Sequence, residues 1–519
     1  MYLLRDLIAG VPGAQILRGD PGVEIVDVRD DSRQVGQGDL FVAVPGTKAD
    51  GRAFVADAAG RGAAVVVGEG EVPAELGTHP AVAFVQVPSA RFAVGLIAAR
   101  RFGAADKLTM TGVTGTNGKT TITYLLESIL AAAGRRPGII GTVNNRYAGR
   151  QVATALTTPG ALALQGLLAE MRAAGTTDVA MEVTSIALDQ GRVAGCRFRV
   201  AALTNVTQDH LDYHGTMDRY FEAKAILFRE ALTDDGVAVL FSDRDDGRRM
   251  KPHVRGQVLS VAIEPGALAD VRTTTRSLRE DGTSATFETP VGRIDVESAL
   301  VGDFNLANLA IAVGVGVGHG FSPEVIARGI AEQTAVPGRL ERVGNGAGVL
   351  CVVDYAHTPD ALERALTTLR PLTRGRLVVV FGCGGDRDPG KRPLMGAAAV
   401  RLGDIAIVTS DNPRSEDPAD IVAMIREGVV RAGGVELAAG DLFGHLGQAR
   451  RGYLVEVDRR AAIRAAVRAA QPGDTLLIAG KGHEDYQIIG TVKTPFDDRN
   501  EARAAFVAPD RDLDRGGVP

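Results

Sequence analysis

Cysteine is scarce. Cys196, Cys351 and Cys383 are the only three in 519 residues, too few and too scattered for a disulfide framework or a paired-cysteine metal site, and they suit a reducing cytoplasm. Long apolar runs are missing too. The opening Met1-Tyr-Leu-Leu-Arg-Asp6 meets charge at once, and nothing later nears the ~18 residues a membrane span needs. The expectation is a soluble cytoplasmic protein with no membrane insertion. Neither charge sign dominates: 58 basic against 63 acidic residues leave −5, so no basic field points to nucleic acid. No repeat of solenoid period is visible.

What is present is ordinary globular composition, 45% apolar and 23% charged. The length suits roughly three domains. Glycine is abundant at 64 residues, which fits many tight turns and close backbone-to-ligand contacts. The first ~90 residues read as short strands and helices, with apolar runs at 39–44 and 63–67. From Leu108 the pattern sharpens. Leu108, Met110 and Gly112 alternate as a strand, then comes the loop Thr114-Gly-Thr-Asn-Gly-Lys-Thr-Thr121. Ile122, Leu125, Leu126, Ile129, Leu130 and Ala133 then recur at helical spacing before Gly134.

The last third alternates strand-like runs (349–354, 376–381, 405–409, 454–457, 475–479) with helical stripes such as Leu362, Ala365, Leu366, Leu369 and Ile463, Ala466, Val467, Ala470. That alternation predicts an α/β architecture with a mostly parallel sheet. Four polar clusters follow its strands: Tyr355-Ala-His357, Gly384-Gly-Asp-Arg-Asp388, Asp411-Asn-Pro-Arg414 and Gly480-Lys-Gly-His-Glu-Asp485. Open parallel sheets bind ligands beyond their carboxyl ends, so these clusters are expected to share one crevice.

The loop Gly115-Thr-Asn-Gly118-Lys119-Thr120-Thr121 is a shortened phosphate loop, since Val113 stands where the longer pattern has glycine. Glycines let backbone N–H groups reach anionic oxygens, and the next helix N-terminus adds partial positive charge. Lys119 can reach the β/γ-phosphates and the Thr120 hydroxyl can ligate Mg²⁺. Glu182 interrupts the apolar run 178–184, and a buried acid must be paired or metal-bound. By themselves, His210 reads as a hydrogen-bonded structural histidine and Lys224 as a solvated helix charge. Asp411–Arg414 alone reads as a strand-end turn with an exposed arginine.

Taken with Gly115–Thr121, the segments His210-Leu-Asp-Tyr-His-Gly215, Asp354-Tyr-Ala-His-Thr-Pro359 and Lys481-Gly-His-Glu-Asp-Tyr-Gln487 resemble those of the Mur ligase family, in order along nearly the whole chain from Asp31-Ser-Arg33. The resemblance implies three domains: 1–98 binding a UDP-sugar, 99–340 a central ATPase, and 341–519 Rossmann-like and taking up an amino acid. It implies ATP-driven addition of meso-diaminopimelate to UDP-N-acetylmuramoyl-L-alanyl-D-glutamate through an acyl phosphate, in the peptidoglycan synthesis that underlies cell shape and division. A monomer is expected. By the same resemblance Thr120, Glu182, His210 and Lys224, the last as a carbamate, serve Mg²⁺. Ser32, Thr157, Thr158, Thr184, Gln190 and Arg192 hold the UDP-sugar peptide. Asn305, Arg339, Asp354 and His357 lie on the nucleotide side, and Lys119, Glu182, His210 and Lys224 are catalytic. Asp411, Asn412, Pro413 and Arg414 mark diaminopimelate-using members, with Arg387, Gly480 and Glu484 completing the pocket.

One departure is Ile186, where many members carry histidine. Two alternatives stand beside this reading. One is a related ligase, folylpolyglutamate-synthase-like or lysine-adding. The other is a non-catalytic, nucleotide-gated UDP-sugar-binding regulator.

Overall fold

Val65–Gly68 shows how the first sheet forms. Its three valines are stiff at χ1 and suit extended backbone, and all are fully buried, as in a strand covered on both faces. In the computed structural model, which describes residues 1–46, 50–437 and 452–507, this strand lies between Leu40–Val42 and Ala83–Gln86, parallel to both. Val28–Arg29 extends the parallel run and Gln15–Arg18 closes the other edge antiparallel. Val65 and Val67 face one apolar cluster with Leu40 and Ile97, while Val66 faces another with Phe41 and Phe84.

A second sheet has eleven strands. Its heart is parallel, in the spatial order Pro137–Ile140, Asp178–Glu182, Thr109–Thr114, Phe198–Leu203, Leu232–Phe241, Gln257–Ala262. After Thr109–Thr114 the chain fills one side as far as Glu182, then crosses to the other from Phe198 on. Thr109–Thr114 therefore marks the reversal, and the crevice beyond its carboxyl end is where such sheets bind ligands. Helix Lys119–Ala132 follows and buries Ile122, Leu125, Leu126, Ile129 and Leu130 of the stripe read from the sequence, with Ala133 half-buried just past its end. Just beyond it Gly134 takes the left-handed conformation, φ 74°.

Packing gathers the chain into two units. One comprises Met1–Arg276, Ala285–Val296 and Leu306–Glu332, and the other Ser277–Ser284, Glu297–Asn305 and the span from Gln333 on. The second unit carries a seven-stranded sheet, ordered Glu341–Arg342, Leu350–Asp354, Thr475–Ala479, Leu377–Phe381, Ile405–Val408, Gly452–Val455, Val435–Glu436. All its pairs are parallel except the first. The strand expected at 454–457 starts two residues earlier; the other four expected strands fall within a residue of their predicted ends. Helix Pro359–Leu369 buries its predicted stripe whole, and Arg459–Ala469 buries Ile463, Ala466 and Val467, while Ala470 falls just past its end and is half-buried. Thr475–Ala479, last of the seven in sequence, slots between two earlier strands, so residues 480–485 emerge mid-sheet.

Candidate active site

The phosphate loop is held from both sides. Gly115 and Gly118 have φ of 141° and 90°, and a Cβ on either would collide with Thr204 or Asn308 respectively. Glycine is required at both. Thr204 Oγ1 donates to the Asn117 carbonyl at 2.6 Å, and Asn117 N–H donates to Asn205 Oδ1 at 3.1 Å. Thr116 Oγ1 donates to the Thr207 carbonyl (3.1 Å) and lies 3.0 Å from the Tyr220 hydroxyl. Lys119 folds back so that Nζ donates to the Gly115 and Thr116 carbonyls, both at 2.9 Å. An ammonium thus sits at a helix N-terminus that already favours anions.

Glu182 ends the parallel strand beside the loop and is 1% exposed. Its Oε2 accepts from Thr120 Oγ1 (3.1 Å) and Thr142 Oγ1 (2.9 Å), and its Oε1 from Thr142 N–H (2.9 Å). Thr120 and Glu182 therefore bring two hard oxygen donors together. Mg²⁺ prefers such donors and commonly takes one or two carboxylates while keeping waters, so this pair fits the ion.

Lys224 corrects a sequence expectation. It is 1% exposed rather than solvated, because helix Met217–Ile226 buries Tyr220, Phe221, Ala223 and Ala225 around it. Its Nζ lies 4.3 Å from the centre of the Tyr220 ring. Burial, reinforced by the Lys119 charge, drives its pKa well below the ordinary lysine value. An amine held neutral is nucleophilic, as carbamylation requires. His210 is not the structural histidine that its isolated reading expected. Its side chain is 44% exposed, at a left-handed φ of 52°, with Nε2 3.6 Å from Asp209 Oδ2. The buried imidazole is His214, bonded to Ser185 Oγ at 3.0 Å.

Five of the six residues expected on the UDP-sugar peptide form one network. Thr158 Oγ1 donates to the Glu182 carbonyl (2.9 Å) and lies 3.4 Å from Thr184 Oγ1. Arg192 donates to Gln190 Oε1 (2.7 Å) and the Thr158 carbonyl (2.9 Å). Thr157 Oγ1 is 3.1 Å from Thr142 Oγ1. Ser32 takes no part in these bonds; it is buried in the turn Ser32–Gln34. Ile186 is half-buried on the short helix Ser185–Asp189, which Thr184 caps.

In the second unit the strand-end clusters do converge. Asn412 Nδ2 donates to Glu484 Oε2 at 2.8 Å, and Lys481 Nζ, fully buried, donates to Asn412 Oδ1 (3.0 Å) and Asp411 Oδ1 (3.3 Å). Burial pushes the Asp411 carboxyl up, but the Lys481 and Arg459 cations outweigh it and hold the pKa below the ordinary value. Glu484 is raised by burial and by the Asp411 charge. Arg414 Nη1 donates to the Gly385 carbonyl (2.7 Å), from a residue at φ 53° that follows Pro413. A Cβ on Gly384 would fall 2.9 Å from Arg414 Nη1 and 3.8 Å from Arg387 Cγ, so both arginines flank that glycine. Gly480 (φ 116°) leaves room for Asp411 Oδ2.

The remaining four residues also belong to this unit. Asp354 accepts from Leu340 and Ala356 N–H (2.7 and 2.8 Å), and burial raises its pKa. Arg339 stacks 4.9 Å from the Tyr355 ring, His357 Nδ1 is 2.8 Å from the Tyr355 carbonyl, and Asn305 Nδ2 donates to the Val301 carbonyl at 2.8 Å. Sequence reasoning missed Thr142, Asn205, Asn308, Tyr220 and the bracing role of Lys481. Lys481 lay inside a motif already singled out and Tyr220 one helical turn before Lys224, whereas the others carry no local signal.

Three family models match this chain in order: "Mur ligase family, catalytic domain" at 24–101, "Mur ligase middle domain" at 113–316 and "Mur ligase, glutamate ligase domain" at 338–482. The UDP-N-acetylmuramoyl-L-alanyl-D-glutamate--2,6-diaminopimelate ligase of Geobacter metallireducens is 45% identical over 494 residues, covering 94% of this chain and 95% of that protein. The chain belongs to the Mur ligase family. This Mur ligase is likewise 45% identical over 513 residues to the same-named enzyme of Geobacter sulfurreducens, covering 98% and 99% of the two chains. A solved structure of a UDP-N-acetylmuramoyl-L-alanyl-D-glutamate--2,6-diaminopimelate ligase superposes with a TM-score of 0.70 at 33% identity, covering 98% of this Mur ligase and 99% of that chain.

Proposed function

We propose that this protein adds meso-diaminopimelate to UDP-N-acetylmuramoyl-L-alanyl-D-glutamate, driven by ATP. The observation that carries this reading is the joined cluster at the strand ends of the second unit. Arg414, Asn412, Asp411 and Glu484 offer cationic and anionic groups side by side. An amino acid bearing an ammonium and a carboxylate at its far end needs both.

A carboxylate is a poor electrophile, so the substrate's D-glutamyl carboxylate first attacks the γ-phosphorus, giving an acyl phosphate and ADP. The incoming amine then attacks that carbonyl and phosphate leaves. Lys119 and the loop amides stabilise charge on the transferred phosphoryl group. Mg²⁺, when bound, supplies further neutralisation there; Thr120 and Glu182 would hold it, with His210 and a carbamate on Lys224. Thr157, Thr158, Thr184, Gln190 and Arg192, with Ser32, orient the UDP-linked peptide. Asn305, Arg339, Asp354 and His357 serve the nucleotide.

Three functional domains, 1–98, 99–340 and 341–519, belong to the same reading, supported for the first by its separate sheet and two apolar clusters. We take the protein to be a cytoplasmic monomer; among the described residues no helix is long and apolar enough to cross a membrane. One assay tests the whole. Purified protein, ATP, Mg²⁺ and the UDP-dipeptide are offered diaminopimelate or lysine, and phosphate release and product mass are read together. Product with diaminopimelate alone is expected. Phosphate release from ATP without either co-substrate would mark a simple ATPase instead.

A further inference from the structure

Helix Lys119–Ala132 begins at the phosphate loop, and its far end, about 20 Å away at 1.5 Å per residue, borders a separate recess of about 390 Å³. Arg135, Arg136, Arg146 and Arg150 line it, with Glu127 the one acid among the lining residues. Pro137 opens one parallel strand and Thr176 stands just before another, while Tyr147 is paired with Gly138. The recess therefore lies at the amino ends of these strands, opposite the phosphate loop.

The charges there are unequal. Glu127 is spent on Arg146, which donates to its Oε2 from Nε (2.9 Å) and Nη2 (2.5 Å), with the guanidinium stacked 3.8 Å from the Tyr124 ring. Arg135, Arg136 and Arg150 form no ion pair among the described residues. Arg136 is laid against Gly175, where a Cβ would meet its guanidinium carbon at 3.7 Å. Thr176, 6% exposed, stands in the recess wall, and its buried hydroxyl has no partner among the described residues. Three unneutralised guanidinium groups around one concavity, rather than spread on a flat face, suit an oxyanion that several forks can grip together.

We propose that this recess is a second anion site, taking a compact, multiply charged oxyanion of the pyrophosphate class. ADP and Mg²⁺ are used to fill the phosphate loop of the full-length protein, and inorganic pyrophosphate is then titrated by calorimetry. Saturable binding of one pyrophosphate per chain is expected. Arg136→Ala and Arg150→Ala should each weaken it about tenfold, the effect of losing one charge-assisted hydrogen bond. ATP turnover without pyrophosphate should stay within about twofold of wild type, since neither arginine touches the substrate end. Absence of binding to the ADP-blocked protein, or unchanged affinity in the Arg136→Ala/Arg150→Ala double variant, overturns the proposal. Loss of binding only when ADP is present would also overturn it, because the anion would then be competing for the phosphate loop.

Discussion

The Thr120 hydroxyl donates to Glu182 Oε2 over 3.1 Å, and both side chains are almost fully buried. This one bond joins the first turn of the phosphate-loop helix to the end of the neighbouring parallel strand. Because Thr142 gives two more donors to the same carboxylate, an amide in its place leaves one neutral acceptor oxygen where three donors met a charged pair. Glu182→Gln should therefore cost about 1–3 kcal/mol of stability and raise the Mg²⁺ concentration for half-maximal activity about tenfold. Denaturant unfolding and a Mg²⁺ titration of phosphate release check the two parts; wild-type behaviour in both would remove Glu182 from the site.

Lys119→Ala should lower turnover by ~10²–10³, the usual worth of one preorganised charge stabiliser. Steady-state phosphate release with both co-substrates measures it. Turnover near wild type would sink the phosphate-loop assignment.

Lys224→Ala is expected to be inactive and to recover part of its activity on adding acetate, whose oxygens would replace those of the proposed carbamate. The buried, neutral amine is what makes carbamylation chemically accessible here. High activity of the alanine variant without added acid would refute the role.

Arg414→Ala should raise the KM for diaminopimelate far more than that for ATP, and lysine should be a very poor substrate for the wild type. Sites built around a polar substrate group reject analogues lacking it by ~10⁴–10⁵. Comparable kcat/KM for the two amino acids overturns the substrate while leaving the ligase standing.

His319 gives a pH prediction away from the chemistry. Its ring bonds Thr111 Oγ1 at 2.8 Å and stacks on Phe321, and burial lowers its pKa from 6.5 to about 4. The unfolded chain then binds more protons than the folded one between those values, so stability is full above pH 6.5 and falls as the pH drops towards 4. A shift of this size corresponds to about 3 kcal/mol. His319→Gln should flatten that part of the curve, as followed by Tm against pH; an unchanged slope would assign the acid loss to other groups.

Much of this was legible in the sequence because it is local. The phosphate loop, its helix and the four strand-end clusters each sit within fourteen consecutive residues, where period and turn chemistry speak directly. Lys224 was misread because a charge is ordinarily solvated. Yet it stands four residues after Tyr220 and four before Phe228, both buried, so the helical stripe carried the signal. Thr142, Asn205 and Asn308 were invisible for a different reason. Each meets the site from a distant segment, and no spacing rule links Asn308 to Gly118.

Lys481 carries a consequence for how substrate choice can change. Its buried ammonium is shared by Asp411, Asn412 and Glu484, so two loops from different strands are tied by one cation. Grafting another tetrapeptide over 411–414 would take Asp411 and Asn412 from that cation and leave it Glu484 alone, and losing one partner of a buried pair costs ~3–5 kcal/mol. If this cluster takes the amino acid as proposed, its selectivity is tied to a block: a chain changing to a different amino acid would have to alter both loops in concert, since single-step intermediates would pass through a less stable protein.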